Sequence, residues 1–375
     1  MRSILWILTT QWRGQALGYA GDPNARTPAL DALAAQSVRF DAAITPHPFG
    51  PFARAAILTG VPCPANGVSD YFDPLPREAR TVAHRMNERG YATAFFGKWH
   101  LAPRDRSAPP VGEVHARTRV APEDRGGFQF WEGFEGGFLL NDPWLHGSRL
   151  PAPVRFPGYQ SDVLAQRAGE WIAEAPAGPW FCLLSLEPPH PPYGAPASGI
   201  QAPDAAGLRL AANVPRGGAV EARARAELSG YYAHLAATDR ALGRLLARVP
   251  AEATVVFTSV HGDMHGAHGL FRKGWPHEES IRVPLLIRSP GHAPRTVTAP
   301  VSLLHLEALT LDPLEAPRPP VLSSMPSVAP FAHQCDRPWV AERTETSKIV
   351  REPGRSTPWL RFDLAADPLE MRPLP

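Results

Sequence analysis

A chain of 375 residues, 44% hydrophobic and 20% charged, has ample length for one large core or two modest ones. A net charge of +2 without a long basic run excludes a general polyanion-binding role and argues against nucleic acid as a partner. Three scattered cysteines, Cys63, Cys182 and Cys335, fit no zinc spacing and imply no disulfide framework, and nothing in the composition sets an oligomeric state.

In chain order, the first signal is the apolar run Ile4–Leu8. It is too short for a secretory leader or a membrane span, so Ser3–Thr10 reads as a buried strand of a cytoplasmic protein with no membrane partner. Thr27 reads as an N-cap and Pro28 as the first helical residue, with Leu30, Leu33 and Ala34 on one apolar face. Val82–Arg89 is a helix stopped by Gly90, and Tyr91–Phe96 a strand that runs into Gly97-Lys98-Trp99-His100. Residues 102–160 are rich in Pro, Gly and aromatics and read as a long excursion near a site. Ser161–Glu174 is an amphipathic helix, and Trp180–Leu186 a buried strand ending in Glu187-Pro188-Pro189-His190-Pro191-Pro192-Tyr193. A long helix covers roughly Val220–Arg248. Strands follow at Thr254–Ser259, before Val260-His261-Gly262-Asp263, and at Val283–Arg288. Beyond residue 315 the pattern weakens to short strands at Trp339–Glu342 and Trp359–Leu364, with Lys348–Val350 between them. Alternating helix and strand signals predict an α/β fold with a mostly parallel sheet.

The stretch Ile44–Gly60, ITPHPFGPFARAAILTG, is a Pro/Gly loop feeding a helix that is apparent from Arg54 onward and ends at Gly60. A loop entering a helix N-terminus is a place to hold an anion, because free N–H groups and the helix dipole point at it; an ordinary buried helix reads the same way. Lysine usage is a second signal. Only Lys98, Lys273 and Lys348 are lysine among 38 Lys and Arg residues, so each marks a position where a compact point charge is wanted instead of a planar fork.

These stretches together resemble the type I sulfatases of the alkaline phosphatase superfamily. Arg54 and Leu58-Thr59-Gly60 fit the nucleophile pattern [C/S]-x-P-S-R-x-x-x-L-T-G. Thr27-Pro28-Ala29-Leu30-Asp31, Gly97-Lys98-Trp99-His100, Pro189-His190-Pro191-Pro192-Tyr193, Glu278–Pro284 and the closing Phe362-Asp363-Leu364 and Asp367-Pro368 resemble further family motifs, nearly end to end. The resemblance implies an alkaline-phosphatase-like α/β domain over residues 1–315, its central sheet flanked by helices, and a small C-terminal antiparallel-sheet subdomain over 316–375.

The same resemblance implies what is missing. The nucleophile position falls on Gly50 or, in a shifted alignment, on Phe49; neither can become a formylglycine or attack with oxygen or sulfur. Family carboxylates that hold a divalent cation, usually calcium, fall on Thr10 and Val260, leaving the neutral Gln11 and His261 as remnants of a metal shell. Calcium and formylglycine are therefore expected to be absent. The cationic residues Arg54, Lys98, His100, His190 and Lys273 match family positions that hold the sulfate and assist the leaving group. The expected function is a pseudo-sulfatase, a sulfatase-like protein whose metal-free cationic pocket binds a small anionic ester or oxyanion, sulfate or phosphate. Two alternatives remain open. One is a hydrolase or transferase of different mechanism, with His100, His190 or His261 activating water or Thr45 as nucleophile. The other is a non-catalytic partner subunit that uses the aromatic stretch Phe128–Trp144 as its interface.

Overall fold

The computed structural model describes residues 1–175, 177–315, 320–328 and 330–375. Its centre is a ten-stranded sheet. The elements that carry the site are, in chain order, β1 (Ile4–Thr9), α1 (Gly50–Thr59), β2 (Ala92–Lys98), α2 (Gln160–Ala173), β3 (Trp180–Ser185), α3 (Ala219–Leu246), β4 (Thr254–Ser259) and β5 (Leu285–Arg288). Across the sheet the order is Arg295–Val297, Val38–Phe40, β5, β4, β1, β3, β2, Phe130–Phe134, Trp144–Gly147 and Leu150–Arg155. The run from β4 to Phe130–Phe134 is parallel. β1, β3 and β4 are buried at every position, as expected of strands covered on both faces, and their sequences are correspondingly continuous apolar runs.

Registers bring the strand ends to one level: Leu8 opposite Ser185, Thr9 opposite Ser259, and Gly97 opposite Ser185. Thr10, Lys98, Glu187 and Val260 therefore emerge along the same C-terminal edge, where open α/β sheets place their ligands. On one face of the sheet α2 packs against α3. On the other lies α1, buried along its whole length and closed by Gly60 in the left-handed region, whose N–H bonds Ala56 O.

Several sequence expectations are corrected here. The helix apparent from Arg54 begins four residues earlier, at Gly50, because proline is tolerated in a first helical turn, where its missing N–H has no intrahelical partner. The excursion 102–160 contributes three strands to the central sheet. Its outermost strand, Leu150–Arg155, carries two prolines, which suits an edge. Val283–Arg288 is interrupted at Pro284: Arg282–Val283 pairs with Ala43–Ile44, and β5 runs antiparallel to β4. Within the aromatic stretch Phe128, Trp131 and Phe134 are buried in the core. A four-stranded antiparallel sheet, Val321–Met325, Trp339–Arg343, Ser347–Arg351 and Leu360–Asp363, ends the chain. Its first strand has no counterpart in the sequence reading. The boundary expected at 315/316 meets residues 316–319, which lie outside the described residues. Among the described residues no helix is long and apolar enough to cross a membrane.

Candidate functional site

A cavity of about 640 Å³ opens at the C-terminal edge of the parallel strands. Thr10, Gly50, Arg54, Lys98, His100, His190, His261 and Lys273 all line it. The five expected cationic residues are thus brought together from four separate stretches of sequence. Phe49 also lines the cavity, whereas Gln11 lies behind it, fully buried.

Arg54 lies one turn into α1, 2% exposed, and its Nη2 donates to Thr10 Oγ1 at 2.8 Å. Burial lowers its guanidinium to about 10, against the pull of Glu187 and Glu135. Lys98 ends β2, and its Nζ donates to Glu187 Oε1 at 2.7 Å, with both side chains inaccessible to solvent. The other Glu187 oxygen accepts from Gln160 Nε2 at 2.8 Å. Burial lowers Lys98 to about 8; Glu187 opposes that fall and Arg54 adds to it. Lys273 Nζ donates to Gln11 Oε1 at 2.9 Å and lies 3.3 Å from His190 Nε2. Burial brings it down to about 7, with Asp263 opposing and Arg272, Lys98 and Arg54 assisting.

The three histidines are held neutral. Burial comes first in each case, followed by a neighbouring ammonium, that of Lys98 for His100 and that of Lys273 for His190 and His261. His190 Nδ1 donates to Pro191 O and His261 Nδ1 to Gly262 O, because a carbonyl can only accept. Each therefore turns a lone pair on Nε2 elsewhere: that of His190 faces Lys273, and that of His261 has no partner among the described residues. His100 Nε2 meets Tyr71 Oη at 3.2 Å, and its Nδ1 has no partner among the described residues.

Gly50, the first residue of α1, faces this group. A Cβ built there would sit 3.0 Å from His100 Nδ1 and 3.4 Å from Arg54 Nη1. The position aligned with a nucleophile is therefore aimed into the cavity, and it carries no side chain. Thr10 does not replace it: its hydroxyl donates to Leu186 O at 2.9 Å while accepting from Arg54. Thr45 lies away from the cavity lining, and its hydroxyl donates to the backbone carbonyl of Val260 at 2.6 Å.

The residues at the metal positions do not fit calcium or magnesium, which require several anionic oxygens. Val260 offers no donor, and the Thr10 hydroxyl and Gln11 carbonyl already accept from Arg54 and Lys273. Asp263 is the nearest carboxylate in sequence, and its two oxygens accept from Gln11 Nε2, Tyr193 Oη and the amides of His265 and Arg272. Burial alone would raise that carboxyl; His265, Arg272 and the bond from Tyr193 hold it below the usual carboxylate range.

Sequence reasoning missed Glu187, although its place directly after a buried strand and before Pro-Pro-His was a usable signal. It also missed the cavity's aromatic side. Phe138 stacks on His190 with ring centroids 4.4 Å apart, and its ring lies 3.9 Å from Lys98 Nζ. Phe49, Tyr71 and Phe331 pack edge-on or tilted around one another beside His100. No spacing announces these contacts, since they join loops far apart in the chain.

Comparison with known proteins places this geometry. A family model described as Sulfatase matches residues 2–312. The chain is 35% identical to an ulvan-active sulfatase of Formosa agariphila, over 99% of this chain and 76% of that protein. Two solved structures are similar in fold. One is a Bacteroides fragilis protein named as sulfatase yidJ, with TM-score 0.87 and 23% identity over 99% of this chain and 90% of the other. The second is a phosphonate monoester hydrolase of Agrobacterium radiobacter, with TM-score 0.75 and 22% identity over 100% and 91%.

Proposed function

This chain belongs to the sulfatase family and has its alkaline-phosphatase-like α/β fold, and from that premise we propose that it binds an anionic sulfate or phosphate ester beside Gly50 without turning it over by the family's reaction. The observation that carries the proposal is Gly50 itself. The side chain that would attack the ester is absent at a helical position aimed between Arg54 and His100. What surrounds it still suits an oxyanion: three cationic side chains converge there, and α1 presents its N-terminus, where the unpaired N–H groups and the positive dipole end lie. The 35% identity to an ulvan-active sulfatase makes ulvan the first natural ligand to try.

The test is titration calorimetry with sodium sulfate and sodium phosphate, together with 4-nitrophenyl sulfate turnover by the same protein. Saturable oxyanion binding, weakened by Lys273→Met, with no release of nitrophenol supports the proposal. Turnover above the background rate at a stoichiometry of active protein overturns it.

A second reading, an active hydrolase of different mechanism, is favoured by the unpartnered lone pair on His261 Nε2. A neutral imidazole with a free acceptor nitrogen can take a proton from water. That reading requires sulfate-ester turnover that disappears in His261→Ala.

A further inference from the structure

We propose that the ammonium of Lys273, oriented by Gln11, and the guanidinium of Arg54, oriented by Thr10, take the charge role of a divalent cation in this cavity, so that oxyanion binding here is independent of metal. The inference rests on the oxyanion-site reading and adds where the positive charge comes from.

The orientation of Gln11 is set by its partners. Its Nε2 faces Asp263 Oδ2, which can only accept, and lies 3.2 Å from Tyr193 Oη. The carbonyl end therefore points the other way, to Lys273 Nζ at 2.9 Å. Thr10 is fixed by similar reasoning. Its hydroxyl proton goes to Leu186 O, leaving a lone pair for Arg54 Nη2. Two consecutive residues after β1 thus spend their oxygens on two protein cations.

The compensating charge is arranged to leave those cations active. Each is held at this end by a neutral oxygen, so its charge is not cancelled at contact. The nearest carboxylate to Lys273 along this chain of bonds is Asp263, one side chain further back behind Gln11. It steadies the ammonium from a distance while its own oxygens remain occupied by four donors. Val260, at the end of β4, contributes no charge to this corner. A divalent cation entering here would meet two positive groups and, among the described residues, no free carboxylate, whereas an oxyanion would meet both cations from one side.

The experiment uses calorimetry on the full chain, with EDTA or with calcium chloride, for the wild type, Lys273→Met and Thr10→Asp/Val260→Asp. For the wild type we expect no saturable calcium heat and the same sulfate isotherm in EDTA and in calcium. Lys273→Met should lose roughly 10- to 100-fold in sulfate affinity, the weight of one charge-assisted hydrogen bond, with calcium giving no recovery. Thr10→Asp/Val260→Asp should gain calcium binding and a sulfate affinity that depends on calcium. If that double variant fails to fold, Lys273→Met alone decides, because restoration of its sulfate binding by calcium overturns the inference. Sulfate binding by the wild type only in calcium keeps the oxyanion site and overturns the role given to Lys273. Absence of sulfate binding in both conditions removes the oxyanion site and this inference with it.

Discussion

Replacing Lys98 by methionine separates the stability of the buried cavity from its affinity. The Lys98–Glu187 pair is 2.7 Å long with side chains 1% and 0% exposed. At an effective dielectric of about 20 its attraction is about 6 kcal/mol, set against the desolvation of both ions. Methionine keeps the unbranched apolar stem, one atom shorter, and removes the ammonium with its hydrogen bond to Glu187. Glu187 keeps its bond from Gln160 Nε2 but is left as a buried, otherwise uncompensated carboxylate. The expected loss is about 3–5 kcal/mol. With roughly 2.1 cal/mol/K of unfolding entropy per residue over the whole chain, that corresponds to a fall in Tm of about 4–6 °C. Adding Glu187→Gln removes the stranded charge and should recover most of the stability, because a neutral amide can still bond within this pocket. It should not recover sulfate affinity, because the ammonium is still missing. Thermal unfolding and sulfate calorimetry on Lys98→Met and Lys98→Met/Glu187→Gln read the two effects separately. A double variant less stable than the single one, or a Lys98→Met protein with wild-type sulfate affinity, refutes the reasoning.

Three further outcomes follow from the same geometry. Lys273 gives up its charge as pH rises through about 7 and Lys98 as it rises through about 8, so sulfate affinity should fall in two steps between about pH 6 and 9, the second set by Lys98 near 8. Glu187→Gln removes the group that raises that value, so the second step should begin at lower pH in a calorimetric pH series. Gly50→Ala puts a methyl group 3.0 Å from His100 Nδ1, inside the cavity; sulfate affinity should drop roughly tenfold while stability changes by less than about 1 kcal/mol, the restriction of the unfolded chain being offset by the crowding of His100. Trp339 is fully buried and donates its Nε1 to Gly274 O at 2.7 Å, next to Lys273. Trp339→Phe should cost about 1–3 kcal/mol in urea unfolding, because it leaves that carbonyl without its donor, and should weaken sulfate binding by loosening the segment that carries Lys273.

The parts of the fold that are legible in the sequence are those in which one physical demand dominates. β1, β3 and β4 are covered on both faces, so their residues are apolar without interruption and their limits fall within one or two residues of the expectation. The cation set was legible through the resemblance of its motifs to those of the family, although its members sit in different settings: Arg54 within α1, Lys98 at the end of β2, His100 and His190 in the loops after strands, and Lys273 in a loop before the helix Glu278–Ile281. Leu150–Arg155 was hidden because it is a largely exposed edge strand carrying two prolines, and Phe130–Phe134 and Trp144–Gly147 because they are short and include Gly133 and Gly147. Glu187 read as a loop residue because nothing in one dimension shows that Lys98 lies across the strand pair from it. Phe138 and Phe331 were invisible for the same reason: their contacts with Lys98, His190 and Tyr71 are made across about 40 to 260 residues of chain, and aromatic residues in a Pro/Gly loop carry no periodicity.

Scarcity of lysine, by contrast, carried structural information. The three lysines are 1%, 7% and 0% exposed, so every lysine ammonium in this chain is buried, and the exposed basic side chains are arginines and histidines. Lys348 has compensation at contact: it donates to Pro276 O and pairs with Glu278 and Glu370, and Glu370 in turn accepts from the amide of Glu278. This knot grips the segment that follows Lys273. Lys98 is paired as well. Lys273 differs, because its partners are a carbonyl and an imidazole, both neutral. Burying a cation with neutral partners costs free energy that packing must offset, and the lowered value of Lys273 expresses that cost. An anion in the cavity removes it. The folded protein should therefore gain stability on binding an oxyanion, by about 2.7 kcal/mol at a concentration one hundred times Kd. Lys273→Met removes that cost but leaves the buried Gln11 Oε1 without its donor, so it should start within about 1–3 kcal/mol of the wild type and gain little from sulfate.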